Sequence, residues 1–195
     1  MGWPRCLRVR MCVCVSTTIN GKMNKNENFP SKFILVLAAN PCPCGKFIGK
    51  GRNCTCSSVQ VRRYLSKLSG PLLDRIDLRV RVEPVSRVEL SQGGESSASM
   101  RNRVIAARDL AARRFSHENW KLNSEIPAKA LRNKYQAGKS AMAFLHDELD
   151  RERITARGLH KILRTSWTIA DLNQIPQPEI SEVKKAYALR EGSDY

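Results

Sequence analysis

The chain has 195 residues, 42% of them hydrophobic, enough to bury a core in one ordinary domain or two small ones and to exclude wholesale disorder. Lys and Arg number 34 against 18 Asp and Glu, a formal charge of +16, which puts nucleic acid first among partner classes and nucleotide phosphate second. The longest clean apolar run, Phe33–Ala39, falls far short of the roughly 20 residues that cross a bilayer, and Arg8 and Arg10 leave too few apolar residues for a signal-peptide core, so the chain reads as cytoplasmic with no membrane partner.

Residues 1–28 are polar and rich in Asn and Lys after a short Val/Cys patch, and Ile19-Asn20-Gly21-Lys22 offers a turn between two weak strand candidates. The segment reads as a hairpin or as disorder. Residues 29–90 begin with Phe33-Ile34-Leu35-Val36-Leu37-Ala38-Ala39, continuous and apolar as in a strand buried on both faces of a parallel sheet. From Ser57 to Ser69, Val61, Tyr64, Leu65 and Leu68 recur at helical spacing with Arg62, Arg63 and Lys67 on other faces, which predicts an amphipathic basic helix ended by Gly70-Pro71. Beyond it, Leu78, Val80 and Val82 alternate with Arg79 and Arg81 as in a half-exposed strand over 77–83. Residues 1–90 hold a net +11 of the total charge, which makes them the more phosphate-facing part.

Residues 91–99 are rich in Gly and Ser and mark a linker. A helical region follows over 100–190, and a tail over 191–195. Its first helix, Arg101–Phe115, offers Val104, Ile105, Ala111 and Phe115 to one face. Two apolar stripes predict core: Ala141, Phe144, Leu145 and Leu149 over 140–150, then Leu159, Ile162, Leu163, Trp167 and Ala170 over 156–172. Pro176 and Pro178 break the chain before a last helix, Ile180–Arg190, with Val183, Ala186 and Tyr187 inward.

Of seven cysteines, four fall close together as Cys42-x-Cys44 and Cys54-x-Cys56. An odd total without a secretion signal argues against a disulfide framework, and four soft thiolates could close a tetrahedral zinc site, with reduced unmetallated thiols as the alternative. Such a zinc would be structural, since four thiolates leave no open position. Asn40 directly follows the expected strand, where ligands of open α/β folds bind, although an Asn that merely starts a turn is the plainer reading. Arg75, between Asp74 and Asp77, reads as a surface ion pair or as an arginine finger. Arg157 and Arg164 lie off the apolar stripe and read as solvated. Gly138-Lys139-Ser140 looks like the end of a phosphate loop but lacks its first glycine and a preceding strand, and Asp147-Glu148 reads as a solvated pair rather than a magnesium site.

The runs Ala39-Asn40-Pro41-Cys42-Pro43-Cys44-Gly45, Cys54-Thr55-Cys56, Arg63-Tyr64-Leu65 and Leu68-Ser69-Gly70-Pro71-Leu72-Leu73-Asp74-Arg75-Ile76-Asp77-Leu78 closely resemble the magnesium-chelatase-like AAA+ ATPases of the YifB/ComM competence type. Glu95-Ser96-Ser97-Ala98, Arg101-x-Arg103-Val104, and Ala156-Arg157 through Lys161-Ile162-Leu163-Arg164-Thr165 to Thr168-Ile169-Ala170-Asp171-Leu172 resemble the C-terminal helical domain of that family. The resemblance implies an α/β remnant of an AAA+ P-loop core followed by an all-α helical lid domain. It also implies a homo-hexameric, ATP- and Mg-dependent DNA helicase or branch-migration motor acting in transformation and recombination. By it Asn40 is the sensor-1 residue, Arg75 the finger acting on a neighbour's ATP, and Arg157 the sensor-2 residue, with Arg164 a second candidate. Lys22 and Lys25, on what would remain of a channel-facing hairpin, become DNA contacts.

A complete family member carries a phosphate loop and a magnesium-binding acidic pair before these residues, and neither is recognisable here. The expectation is therefore a truncated or split ATPase whose chain does not hydrolyse ATP alone and whose partner is an upstream-encoded half carrying the phosphate loop. Two alternatives stand beside it. One is a stand-alone basic zinc module that binds nucleic acid through Arg62, Arg63, Lys67, Arg79 and Arg81; the other is a magnesium-chelatase subunit, which the cysteines and the positive charge fit less well.

Overall fold

A computed structural model of the chain describes residues 34, 36–47, 53–68, 70–82, 91 and 93–192. They divide between Leu68 and Ser69 into two units. Lys22 and Lys25, and with them the expected hairpin, lie outside the described residues.

In the first unit a tight turn closes with Gly45 N–H donating to the Cys42 carbonyl at 3.0 Å. Gly45 has φ +75°, a left-handed conformation that a side chain would strain. Helix α1, Ser58–Leu65, starts in a capping box: Ser57 Oγ accepts from Gln60 N–H at 3.3 Å while Gln60 Oε1 accepts from Ser57 N–H at 2.9 Å. Tyr64 is its buried residue, and Arg62 and Arg63 complement the negative end of the helix.

The buried strand expected over Phe33–Ala39 is not formed among its described residues, and Ile34 and Val36 are exposed. A strand covered on both faces needs neighbouring strands for its ladder and helices over its faces. Among the described residues there is no strand, so the described part of the run has no ladder to join. The alternation over 77–83 meets the same end: Leu78, Val80 and Val82 are exposed, and the segment's backbone tie is Arg79 N–H to the Leu189 carbonyl at 2.6 Å. The α/β part of the expected fold is thus not seen.

The second unit holds the expected all-α domain. Helix α2, Gly70–Arg75, precedes α3, Ser97–Arg114, whose N-cap Ser96 Oγ accepts from Ser99 N–H at 3.2 Å. Helix therefore begins inside the stretch read as linker, because a Ser cap followed by Ala and Met outweighs the local Gly and Ser content. After a 3-10 turn at Asn123–Glu125 come α4, Ala128–Asn133; α5, Lys139–Asp150; α6, Ala156–Leu172; and α7, Ile180–Glu191. Helix α6 is the common support: α3, the 3-10 turn, α4, α5 and α7 all pack on it. Its stripe of Leu159, Ile162, Leu163, Trp167 and Ala170 is buried as its spacing predicts. Helix α3 buries two of the four residues expected on its inner face, Ala111 and Phe115, and adds Ala107 in place of the other two. Ala107, Ala111 and Phe115 are buried, and Val104 and Ile105 are exposed; the small residues let α3 approach α6 closely.

Aromatic edges extend this core. Tyr135 stands edge-on to Phe115 at 5.6 Å and to Trp167 at 6.0 Å, and Trp167 Nε1 donates to the Tyr135 carbonyl at 2.9 Å. Beside them Asp171, 2% exposed, accepts both terminal nitrogens of Arg114 and, at 2.8 Å, the amide of Asn123. The Arg114 guanidinium lies 4.2 Å from the centre of the Trp167 ring. One carboxylate so ties α3, the 3-10 turn and α6.

Gly138-Lys139-Ser140 opens α5 as an ordinary helix start: Gly138 N–H donates to the Pro178 carbonyl at 2.8 Å, and the Glu179 carboxylate fills the space over the glycine, where an anion would be repelled. The Asp147-Glu148 pair is only half solvated. Asp147 pairs with Arg151 on the surface, but Glu148 is buried and accepts from Tyr187 Oη at 2.7 Å and Arg153 Nη1 at 3.0 Å, because the tyrosine of α7 reaches a position that α5 periodicity alone leaves outward. No helix among the described residues is long and apolar enough to cross a membrane.

Candidate metal centre and candidate nucleotide-facing arginines

The four cysteines of the first unit converge. Their Sγ atoms all lie within 4.8 Å of one another, with Cys42 to Cys44 at 3.3 Å, Cys44 to Cys54 at 3.7 Å and Cys42 to Cys54 at 3.7 Å. A zinc ion with four thiolates at about 2.3 Å requires sulfur–sulfur edges of about 3.8 Å, so the spacing fits that ion. Gly45 reverses the chain just after Cys44, and the second Cys-x-Cys pair stands against the first. Cys42 is buried while the other three reach toward the surface.

The thiols do not ionise alike. The Lys46 backbone amide and the Cys42 thiol lower Cys44 to about 6. At Cys54 a backbone hydrogen bond at Cys56 acts downward, but desolvation and the thiols of Cys44 and Cys42 outweigh it and push the group up to about 12. Four thiolates this close repel one another, and a bound cation is what makes all four favourable together. A zinc here would pin the turn to the start of α1 and supply no reaction chemistry of its own.

Asn40 is exposed at the head of the same turn, its amide against Gly45: a Cβ on that glycine would lie 3.6 Å from Nδ2.

In the second unit two of the three arginines expected to face nucleotide, Arg75 and Arg157, lie near the start of α6. Arg75 ends α2 with its guanidinium exposed and donating to the Pro71 carbonyl at 2.7 Å. Arg157, in the first turn of α6 and 61% exposed, pairs with Asp74 Oδ2 at 3.4 Å. The other oxygen of Asp74 pairs with Arg190 Nη2 at 2.6 Å, and Lys161 Nζ donates to the Arg75 carbonyl at 2.6 Å. The sequence thus named two arginines that share a neighbourhood, and it missed the Asp74–Arg190 pair that organises it. Arg190 looks like any cation in a last helical turn, and no spacing rule links it to a residue 116 positions away.

Arg164 is placed differently. Its Nε and Nη2 donate to the Ile126 carbonyl at 3.0 and 2.7 Å, and burial lowers its pKa. The guanidinium satisfies a buried backbone group between the 3-10 turn and α4, rather than standing in solvent.

Comparison with known proteins matches the chain to magnesium chelatase, subunit ChlI, over residues 11–90 and to magnesium chelatase, subunit ChlI C-terminal, over residues 94–190. The chain belongs to the magnesium chelatase family. Within it, the cysteine cluster and Arg75 fall in the first match, and Arg157, Lys161, Arg164 and Arg190 in the C-terminal one. An uncharacterized protein of Mycobacterium tuberculosis is 42% identical over 164 residues, covering 84% of this chain and 32% of that protein. Competence protein ComM of Haemophilus influenzae is 35% identical over 170 residues, with the same shares covered. The uncharacterized protein YifB of Escherichia coli is 36% identical over 149 residues, 75% of this chain and 28% of its own. The chain spans about a third of the length of these relatives.

Proposed function

We propose that this chain supplies the finger, sensor and lid positions of a magnesium-chelatase-like AAA+ ATPase of the ComM type, an ATP-driven hexameric motor on DNA. The observation that carries this reading is that Asp74, the neighbour of Arg75 at the end of α2, pairs with Arg157 in the first turn of α6, which brings two exposed arginines into one neighbourhood. Exposed guanidiniums at a helix start can reach a phosphate supplied from outside the unit, and stabilising charge on a transferring phosphoryl group is the work of such residues. Arg75 would act on a neighbouring subunit's ATP, Arg157 on that of its own, and Asn40 would orient the attacking water. Arg164 contributes by holding Ile126, not by touching nucleotide. The phosphate loop and the carboxylates for Mg²⁺ are supplied by another part of the assembly, and zinc holds the turn beside Asn40.

The test is ATP turnover in a mixture of this chain with the N-terminal two thirds of the ComM relative. The chain alone binds no fluorescent ATP analogue in the presence of Mg²⁺; the mixture hydrolyses ATP, and Arg75→Ala lowers kcat by about 10³-fold or more. Tight Mg²⁺-dependent binding by the chain alone sinks the proposal.

The cysteine cluster running directly into α1, with Arg62 and Arg63 exposed, favours a second reading, a zinc-stapled basic module that binds nucleic acid without nucleotide. DNA affinity that falls steeply with salt and ignores ATP would select it.

A further inference from the structure

The segment from Asp74 to Arg79 is fastened to α6 and α7 by side chains that the nucleotide reading does not use. Arg190 makes two of the contacts, Nη2 to Asp74 Oδ1 at 2.6 Å and Nη1 to the Ile76 carbonyl at 3.2 Å. Lys161 Nζ makes two more, to the Arg75 carbonyl at 2.6 Å and to Asp77 Oδ1 at 2.9 Å. Arg79 N–H then donates to the Leu189 carbonyl. Arg190 is 5% exposed, a degree of burial that arginine reaches only when its donors are used. Gly158 leaves the lane for it, since a Cβ there would lie 3.2 Å from Arg190 Nε.

These contacts grip backbone and carboxylates on both sides of Arg75 and leave the Arg75 guanidinium at the surface. What they specify is where that side chain starts from. Asp74 links the same grip to Arg157, and its two oxygens are unequal. Oδ1 holds the buried Arg190 at 2.6 Å, whereas Oδ2 meets the exposed Arg157 at 3.4 Å. A phosphate can draw Arg157 away without undoing the buried pair, because the exposed contact is weak and screened while a buried charge cannot be left unpaired.

We propose that Arg190, with Lys161, is a positioning residue that locks the Arg75-bearing segment to α6 and α7, so that Arg75 and Arg157 are carried as one rigid piece. This rests on the finger and sensor reading given above. Its consequence in a ring is that Arg75, facing the neighbour's nucleotide, keeps its starting position whether or not Arg157 has moved onto its own subunit's nucleotide.

The test uses the full chain and needs no nucleotide. Amide hydrogen exchange is followed at residues 76–79 and in α6, together with the Arg75 Nε–H resonance, in wild type, Arg190→Met, Arg190→Lys and Asp74→Asn. Lys185→Met, on the exposed side of α7, is the control. Exchange at 76–79 is expected to rise about tenfold or more in Arg190→Met and Asp74→Asn with α6 changed less than about twofold, the signature of a locally released segment. The Arg75 resonance sharpens in both. Arg190→Lys restores the pair with Asp74 but not the second hydrogen bond and falls between. Unchanged exchange at 76–79 and an unchanged Arg75 resonance in Asp74→Asn overturn the proposal, and this variant decides if Arg190→Met fails to fold. Failure of the finger reading would appear instead as unaltered ATP turnover in Arg75→Ala, with the exchange result standing.

Discussion

Arg164 donates twice to one acceptor, the carbonyl of Ile126, from Nε at 3.0 Å and from Nη2 at 2.7 Å. Ile126 is fully buried, so its carbonyl has no water to turn to. Arg164→Ala should therefore lower unfolding free energy by about 1–3 kcal/mol, the cost of an orphaned buried acceptor. Urea denaturation followed by Trp fluorescence checks it. Arg164→Lys should recover less than half of the loss, since a single ammonium cannot reproduce the planar fork; full recovery would show that charge alone is required.

The Asp171 network should be the most sensitive polar site of the helical unit. Asp171→Ala leaves the Arg114 guanidinium against Trp167 without its counter-charge, and removal of one partner of a buried pair costs about 3–5 kcal/mol. Thermal unfolding gives the size of the effect. A double variant, Asp171→Leu with Arg114→Met, should recover part of it, because the buried charge disappears along with its partner while Asn123 keeps Thr168 Oγ1 but loses Asp171 and Arg114.

Acid sensitivity should trace in part to Glu118. Hydrogen bonds from Lys134 Nζ at 2.6 Å and Tyr135 Oη at 2.8 Å hold its carboxyl below the usual carboxylate range. A carboxyl whose pKa is depressed on folding contributes stability that is complete above its unfolded pKa, about 4.3, and is lost as pH falls through the folded value. The melting temperature should thus decline below about pH 5. In Glu118→Gln the decline over the same range should be shallower, and identical slopes would remove Glu118 from the account.

The cysteine cluster should bind one zinc ion per chain, measured by elemental analysis after purification under reducing conditions. Cys54→Ser should reduce occupancy by about tenfold or more and loosen the turn, seen as faster exchange of the Gly45 amide that closes on the Cys42 carbonyl. Cobalt substitution offers a separate check, since tetrahedral Co²⁺ absorbs strongly in the visible where an octahedral site does not, and the near-ultraviolet thiolate-to-cobalt band grows with the number of thiolates bound.

The helical unit was readable where a residue's surroundings follow from its own helix. Leu159, Ile162, Leu163 and Trp167 predicted a buried stripe because 3.6-residue periodicity places them together whatever lies opposite. Cys42, Cys44, Cys54 and Cys56 were readable for a similar reason, since a short glycine-containing loop can hardly keep them apart. Partners remote in sequence were not. Arg114 and Asp171 stand 57 positions apart and Arg164 and Ile126 38, so their meeting depends on how helices pack, which no local pattern encodes. Hydrophobicity alone puts Val104 and Ile105 inward, whereas α3 turns Ala107 and Ala111 inward. The apolar run from Phe33 to Ala39 states a need for cover without saying what supplies it, and among the described residues nothing meets that need.

Helix α6 touches every other helix from α3 onward as well as the 3-10 turn. A layout with one shared support leaves few pieces that can detach on their own, so loss of α6 removes the ground under all of its neighbours at once. Proteases, which cut what opens first, should accordingly meet residues 97–191 as an all-or-none substrate. A destabilising change anywhere along Leu159, Ile162, Leu163 and Trp167 should then be felt as a shorter lifetime of the whole unit and not as a nick in one loop.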